Sequence, residues 1–284
     1  MNWFKSGLAL LFAMCLAFLS SCSAPRTVEC YLVEYSNAEE IDISTFPKSK
    51  LQWWDGKSFK AEDAEKTVKE TFDGKEYEGE YLESTYYSYN SYRTDDYMNK
   101  DGTWISINAD TGELAGINIM SVERYKEEKQ AEDVKDAESV CEAIAREYAS
   151  RYADLSEYSL LKSNQLRYSD SYATYTFLFA KEIDGIRTAD WISCSITSKG
   201  TFFQIDFGDL GVMDRIDKSE IDRLRSIDAE ELLAERVKEQ IPELRSVAVD
   251  SLCYAVTPEG ELVLMARCSG SMEDYDVGFE FMIK

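Results

Sequence analysis

Residues 191–205 read WISCSITSKGTFFQI, an alternating apolar pattern interrupted by one glycine. Apolar residues recur at every second position on both sides of Gly200. A period of two is typical of a β-strand with one buried face, and glycine tolerates the positive φ that many tight turns require. The stretch therefore predicts a β-hairpin.

Two further stretches repeat this strand–glycine–strand pattern. Trp104-Ile105-Ser106-Ile107 is followed by Asp110-Thr111-Gly112-Glu113-Leu114, and Tyr254-Ala255-Val256 is followed by Glu259-Gly260-Glu261-Leu262. A pattern that recurs along a chain indicates a repeated structural unit. Three hairpins are therefore expected, one in each third of the chain.

The triplet Asp-Ala-Glu also recurs, and each copy opens an apolar pattern with a spacing of four. Residues four apart lie on one face of an α-helix, and an aspartate N-cap accepts hydrogen bonds from the first turn. The pattern predicts three helices, the first of them carrying Ala64, Val68 and Phe72. We interpret the acids of the triplets as helix caps. The triplets lie at 63–65, 136–138 and 228–230.

Helices and hairpins together predict an α+β fold of repeated units, each with one helix packed on an antiparallel β-meander. We expect a first, Tyr-rich unit at 46–122, a second unit at 123–215 and a third at 216–284. Each sheet would bury one face against its own helix.

Several of these motifs resemble the PepSY and YcdB-type repeats of bacterial envelope proteins. The similar elements are the turn Ile183-Asp184-Gly185-Ile186, the strand Trp191-Ile192-Ser193 and the hairpin Asn108-Ala109-Asp110-Thr111-Gly112-Glu113-Leu114, and the match is best over 100–210. The resemblance implies a cystatin-like helix-on-sheet fold, an extracytoplasmic role and a peptidase-inhibiting or peptidase-regulating function. It supplies no catalytic residues.

The N-terminal segment has the features of a bacterial lipoprotein signal peptide. An apolar run from Leu8 to Leu19 is too short for a comfortable permanent span, and Leu19-Ser20-Ser21-Cys22 resembles a lipobox. This implies a signal peptide over 1–21, diacylglycerol on Cys22 and a tether over 22–45, within which 31–33 could form an edge strand. The alternative is an ordinary secretory signal. We expect an extracytoplasmic protein anchored by lipid to a bacterial membrane.

The 284-residue chain has 31 Lys+Arg, 54 Asp+Glu and no histidine, which gives a formal charge of -23. Such a polyanion repels nucleic acid, and the absence of histidine excludes Ser-His-Asp and Cys-His catalysis and His-ligated zinc. We therefore expect a non-enzymatic protein with neither metal nor cofactor apart from the lipid on Cys22. Anionic headgroups should repel its body.

Five cysteines remain in the mature chain besides Cys22, and a hairpin centred on 258–260 would place Cys253 opposite about residue 265, not opposite Cys268. Mostly buried thiols are expected, while disulfides stay open as an alternative. The five are Cys30, Cys141, Cys194, Cys253 and Cys268.

Three other patterns carry candidate chemistry. Ser159 and Lys162 have Ser-x-x-Lys spacing but lack the other motifs of penicillin-recognising enzymes, so we interpret the match as chance. Asn99-Lys100-Asp101-Gly102 fails the EF-hand pattern at its first and last positions and predicts a turn. Asp206 and Asp209 could serve a histidine-free hydrolase that uses two carboxylates, and a solvated face where a strand ends in a loop is the alternative.

The Tyr-rich segment is the candidate binding surface. Tyr77, Tyr81, Tyr87 and Tyr89 share one face of a predicted strand, and Trp53-Trp54 could extend it. Tyrosine suits stacking on a glycan or contact with a peptide, although cross-strand packing is the alternative.

These observations favour a binding protein for an envelope protein or peptide, one that modulates an exported peptidase by strand addition at a sheet edge. Two alternatives remain: a cell-wall glycan-binding module and the two-carboxylate hydrolase.

Overall fold

The structure is a computed structural model that describes residues 28, 30–36, 58–86, 90–169, 172–240, 242, 244–271 and 276–284. Within them the chain forms one large β-sheet with helices packed on it. The strands are β1 (Cys30–Ser36), β2 (Thr67–Phe72), β3 (Lys75–Thr85), β4 (Thr94–Met98), β5 (Trp104–Asn108), β6 (Leu114–Asn118), β7 (Ser159–Ser169), β8 (Tyr172–Ile183), β9 (Ile186–Thr197), β10 (Phe202–Phe207), β11 (Ser246–Val256), β12 (Leu262–Ser271) and β13 (Asp276–Ile283). The helices are α1 (Val122–Glu128), α2 (Ala137–Ala149), α3 (Lys218–Arg225) and α4 (Ala229–Gln240), with short 3-10 helices at Leu155–Glu157 and Val212–Arg215.

The predicted α+β architecture of separate cystatin-like units, each with one helix on its own meander, is wrong. The strands form a single sheet in the order β1-β13-β12-β11-β9-β10-β6-β5-β4-β3-β2, with β7 and β8 on the other edge of β9. The hairpins of different thirds of the chain pair with one another, because β10 is antiparallel to β6 and β11 is parallel to β9. Long-range strand pairing therefore replaces the independent sheets.

Strand β9 is the junction of this sheet. Ile192–Ile196 pair with β10, whereas Arg187 and Thr188, on the same edge, pair with β11. The opposite edge of β9 pairs with β8 along most of its length. Because β9 is 12 residues long, it joins three neighbouring strands.

The first predicted helix is also wrong, because Thr67–Phe72 is a strand. A spacing of four is a multiple of two, so Val68 and Phe72 lie on one face of a strand as well as on one face of a helix. The burial pattern follows the strand: Val68 and Glu70 are half-buried and Phe72 is buried, while the residues between them are exposed.

The second and third predicted helices are confirmed as α2 and α4, and each covers an apolar core. Helix α2 packs on β8, β9 and β10 through the small residues Cys141, Ala145 and Ala149, which are fully buried. Helix α4 packs on β11 with Leu233 and Val237 fully buried. Small side chains let a helix approach a sheet closely, so α2 seals one face of the central strands.

The three predicted hairpins are confirmed as β5–β6, β9–β10 and β11–β12. In the last of them Cys253 pairs with Met265, as the turn position predicts, and Cys268 pairs with Val249. Cys141, Cys194, Cys253 and Cys268 are buried thiols. Burial raises the pKa of the Cys141 and Cys253 thiols to about 11, so both are protonated at neutral pH.

The stretch predicted as tether contains a strand. Cys30–Ser36 forms β1 and pairs with β13, so the edge-strand alternative for residues 31–33 is confirmed. Across the ranges given above, no helix combines the length and hydrophobicity of a membrane-spanning segment.

Candidate ligand-binding site

The central strands have one apolar face and one polar face. Ile192, Cys194 and Ile205 are fully buried in the core beneath α2. The residues that alternate with them point to the opposite side of the sheet, because successive side chains of a strand face opposite ways. Ser193 and Asp206 belong to this second, polar face.

A cavity of about 700 Å³ lies on the polar face. Both Trp-Ile-Ser triplets contribute to it. Because side chains alternate along a strand, the isoleucine of each triplet faces the core, while the tryptophan and the serine on either side of it face the cavity. The lining residues are Asn90, Thr94, Gly102, Trp104, Ser106, Ala115, Asn118, Leu178, Arg187, Trp191, Ser193, Gln204, Asp206 and Phe207. We call this the indole cavity.

Strand register aligns three lining residues, Ser193, Asp206 and Ser106, in one row across the sheet. Ser193 lies opposite Asp206, Asp206 opposite Gly116, Gly116 opposite Ser106, and Ser106 opposite Asp96. A Cβ atom added to Gly116 would lie 2.7 Å from Asp206 Oδ1. The glycine therefore leaves room for the Asp206 carboxyl group on the floor.

Hydrogen bonds orient the floor side chains before any ligand arrives. Asn118 Nδ2 donates to Gln204 Oε1 at 3.3 Å, and Gln204 Nε2 donates to Asp206 Oδ2 at 2.6 Å. On the other side, Trp104 Nε1 donates to Ser106 Oγ at 3.1 Å, and Ser106 Oγ donates to Asp96 Oδ1 at 2.5 Å. Two short chains of hydrogen bonds therefore end on two carboxyl groups.

The two carboxyl groups differ in their access to the cavity. Burial raises the pKa of Asp206 to about 7, the hydrogen bond from Gln204 opposes this, and the nearby charge of Asp96 adds to it. Asp206 is half-buried and lines the cavity, whereas Asp96 is fully buried. Asp206 is thus a carboxyl group that changes charge near neutral pH on the cavity floor.

Trp191 is held by a close backbone contact. A Cβ atom at Gly208 would lie 2.2 Å from the Ala189 carbonyl oxygen and 2.4 Å from Trp191 Nε1, so only glycine fits there. Gly208 N also donates to the Trp191 carbonyl oxygen at 2.8 Å. The indole therefore has a defined position on the cavity wall.

A buried ionic cluster supports β9 next to Trp191. Asp190 is fully buried and accepts hydrogen bonds from Tyr158 Oη at 2.5 Å and Gly211 N at 2.9 Å. Lys181 Nζ lies 3.4 Å from Asp190 and also pairs with exposed Glu157 at 3.0 Å. The cluster ties β8, β9, a 3-10 helix and the loop after β10 together.

The predicted tyrosine surface is described only in part. Tyr77 is buried and Tyr81 is half-buried, and both pack in the core on the α2 side of the sheet. Tyr81 Oη accepts a hydrogen bond from Ala61 N at 2.9 Å, and its ring contacts Tyr97 edge-on with 5.8 Å between the centroids. The contacts of Tyr77 and Tyr81 therefore correspond to the alternative interpretation, in which the tyrosines pack within the sheet. Tyr87, Tyr89, Trp53, Trp54 and Cys22 lie outside the described residues, so their predicted roles stay predictions.

The other sequence candidates lie apart from the cavity, except Asp206. Asp209 accepts a hydrogen bond from Ser91 N at 3.2 Å and pairs with Arg215 at 3.3 Å, and it does not line the cavity. Ser159 and Lys162 lie on strand β7 rather than at a helix start. Asn99 Oδ1 accepts hydrogen bonds from the backbone of the following turn, as the turn interpretation predicts.

Sequence reasoning did not assign a binding role to Trp104 and Trp191. The signal that identifies them is the repeated Trp-Ile-Ser triplet. Its alternation already implies that tryptophan and serine share the face opposite isoleucine.

No family model and no curated protein matches this chain. Among solved structures, the chain is similar to the Bacillus megaterium YpeB C-terminal domain, with a TM-score of 0.31 and 11% identity, over 76% of this chain and 83% of that chain. A similarity of this size carries no conclusion about function. The PepSY-like resemblance therefore stays a prediction.

Proposed function

We propose that this protein is a lipid-anchored extracytoplasmic binding protein whose ligand occupies the indole cavity. The observation that carries the proposal is the cavity itself, about 700 Å³ on the polar face of the sheet. Ligand sites commonly have this size and combine aromatic walls with a few oriented polar groups. Here the polar groups are oriented by hydrogen bonds that do not depend on a ligand.

The anchor and the compartment rest on the lipobox resemblance at Cys22. Removal of residues 1–21 would also remove Lys5, so the mature chain would be near -24. Acyl chains would then hold the protein on the membrane while anionic headgroups repel its body. This arrangement would present the cavity to the extracytoplasmic space.

Binding is favoured over two-carboxylate hydrolysis because, among the described residues, the cavity lining contains one carboxyl group, that of Asp206. A hydrolase of that type needs both carboxyl groups beside the scissile bond. Asp209, the predicted partner of Asp206, does not line the cavity, and the neighbouring Asp96 is fully buried and hydrogen-bonded by Ser106. Asp206 is therefore the one of these three acids that meets the cavity. The arrangement therefore supports recognition better than cleavage.

A second candidate function is capture of a protein or peptide at β7, which could restrain an exported peptidase. In the part of the chain that the structure describes, β7 pairs with β8 on one side only. Its side chains from Lys162 to Tyr168 are exposed, including the apolar Leu166 at 50% and Tyr168 at 51%. A long exposed edge of this kind can accept an added strand. Such a partner would not depend on Trp104.

The proposal predicts that Trp104→Ala removes stabilisation by the natural ligand. Full-length protein, purified in a detergent without a sugar headgroup, would be heated with size-fractionated envelope extract. A ligand at about 100 times its Kd should raise the Tm of the original protein by about 5 °C, and Trp104→Ala should lose this shift because it removes one cavity wall.

Tyr168→Ala is the matched control and should keep the shift, because Tyr168 is an exposed aromatic residue on β7 outside the cavity lining. Circular dichroism establishes that each variant is folded, and Ser193→Leu, which fills part of the floor, provides a second obstruction of the cavity. A shift that survives both Trp104→Ala and Ser193→Leu would place the ligand elsewhere and refute the proposal.

A further inference from the structure

We infer that the ligand of the indole cavity is an uncharged oligosaccharide, held by hydroxyl and carboxamide side chains and by stacking on Trp104 and Trp191. The inference rests on the proposed function and names the ligand class of the same site.

The lining matches the hydrogen-bonding chemistry of sugar hydroxyl groups. Side-chain hydroxyl and carboxamide groups each offer both donors and acceptors, as sugar hydroxyl groups do. Six of the lining residues are of these two kinds. Asn118, Ser193 and Gln204 are half-buried and meet the cavity with part of their side chains, whereas Asn90, Thr94 and Ser106 are buried in its wall.

The two indoles supply the apolar part of the recognition. A pyranose ring presents a face of C–H groups, and a large aromatic ring buries such a face while its polar edge stays hydrogen-bonded. The N–H group of Trp104 is already engaged by Ser106 Oγ, so its ring is fixed in place. Both indoles are half-buried and line the cavity, so part of each remains accessible.

The charges around the cavity disfavour ionic ligands. An anionic ligand would be repelled by Asp206 on the floor and by a chain of formal charge -23. Arg187 is the cationic residue of the lining that would oppose this repulsion. A cation would find Asp206 as the acidic residue of the lining, and the described residues hold no cluster of three or more metal-binding side chains. A lipid chain would separate the polar groups of the floor from water and offer them no hydrogen bond in exchange.

The floor is wide enough for more than one sugar ring. It crosses β5, β6, β10 and β9 in that order, and neighbouring strands lie about 4.8 Å apart. The distance from β5 to β9 is therefore about 14 Å. Trp104 and Trp191 stand on these two outer strands, and the register also offsets them along the strands, because Trp104 is in line with Ser195, four residues from Trp191. This offset is about 13 Å, so the two backbone positions lie about 20 Å apart and a ligand of about three sugar rings is needed to contact both indoles.

Titration calorimetry with four probes tests the ligand class. Full-length protein in sugar-free detergent would be titrated with tri-N-acetylchitotriose, cellotriose, trigalacturonate and trialanine. We expect at least one neutral trisaccharide to bind, and trigalacturonate and trialanine to bind at least tenfold more weakly. Gln204→Leu should weaken binding of the neutral trisaccharide about tenfold, since it removes a carboxamide of similar size from the floor.

Gln165→Leu is the matched control, because Gln165 is exposed on β7 and contacts Tyr175 Oη instead. Equal or tighter binding of trialanine or trigalacturonate would overturn the inference, as would the failure of both neutral trisaccharides to bind. Either result is separate from the proposed function, which fails only when the Tm shift produced by envelope extract survives the cavity variants.

Discussion

Replacing Asp190 with alanine should lower the free energy of unfolding by about 3 kcal/mol. Asp190 is fully buried, and three groups point at its carboxylate: Tyr158 Oη, Gly211 N and Lys181 Nζ. Its removal leaves a mostly buried ammonium group and two donors without their acceptor. Reversible urea unfolding followed by circular dichroism would measure the loss.

The same lysine offers a matched control for this prediction. Asp214 also pairs with Lys181, at 3.6 Å, but its side chain is 73% exposed. Asp214→Ala should therefore change the free energy of unfolding by less than about 1 kcal/mol, because exposed ion pairs contribute little. Equal losses in the two variants would show that burial of the Asp190 cluster does not stabilise β9.

The Asp190 variant also links stability to the site, because Asp190 directly precedes Trp191. Loss of the cluster removes the contacts that hold β8 and the loop after β10 against the segment of β9 that carries Trp191. A variant that is still folded at low temperature should therefore bind the cavity ligand more weakly. Asp214→Ala should bind it normally.

Asp206→Asn should change how stability depends on pH. The carboxyl group of Asp206 has a pKa of about 7 in the folded protein against 3.8 in the unfolded chain, so the folded state binds more protons between these values. The free energy of unfolding of the original protein therefore falls as pH rises from about 4 to about 8. Asparagine cannot ionise, keeps an oxygen that can accept from Gln204, and should remove this part of the decline.

The expected difference is about 2 kcal/mol at pH 8 relative to pH 4. A difference between 3.8 and about 7 would correspond to about 4 kcal/mol for a fully buried carboxyl group, and the partial exposure of Asp206 reduces this value. Urea unfolding of both proteins at pH 4, 6 and 8 would measure it.

Asp217→Asn is a control of opposite sign. Its carboxylate accepts hydrogen bonds from the Ser219 backbone and hydroxyl, which lower the pKa of Asp217 below 3.8. Its contribution is present above that value and is lost only at lower pH, so the difference between Asp217→Asn and the original protein should not change from pH 5 to 8. If Asp206→Asn shows the same flat difference, the carboxyl group of Asp206 does not titrate near neutrality.

Local pattern predicted the hairpins and two of the helices because these depend on residues close in sequence. The turns at Gly112, Gly200 and Gly260 all have positive φ, as the glycine positions required. The helix caps show the limit of the same reasoning. Asp228 Oδ1 accepts a hydrogen bond from Glu231 N at 3.0 Å, as predicted, whereas Asp136 is left-handed and makes no side-chain cap.

The sheet could not be predicted in the same way, because its decisive pairings join residues far apart in sequence. Gln204 pairs with Asn118, Cys253 with Arg187, and Cys30 with Ile283. The local alternation of these strands does not specify such partners, since several strands share the same alternating pattern and pair through the same backbone groups. The fold class was therefore wrong even though most strands were located correctly.

The indole cavity depends both on the local sequence pattern and on the long-range pairing of strands. The Trp-Ile-Ser triplets determine which residues face away from the core, and that part was readable from the sequence. Their convergence depends on the β10–β6 pairing, which brings Asp206 beside Gly116. The elevated pKa of Asp206 depends in turn on that burial. The site could be derived only once the long-range register was known.

The central claim is that the ligand lies between the indoles of Trp104 and Trp191. The most direct test is the NMR spectrum of the indole N–H groups in full-length protein labelled with ¹⁵N-tryptophan, recorded with and without the envelope fraction that raises the Tm. We predict that the resonances of Trp104 and Trp191 shift. Shifts confined to Trp53 and Trp54, or unchanged Trp104 and Trp191 resonances in the presence of a stabilising ligand, would contradict the account.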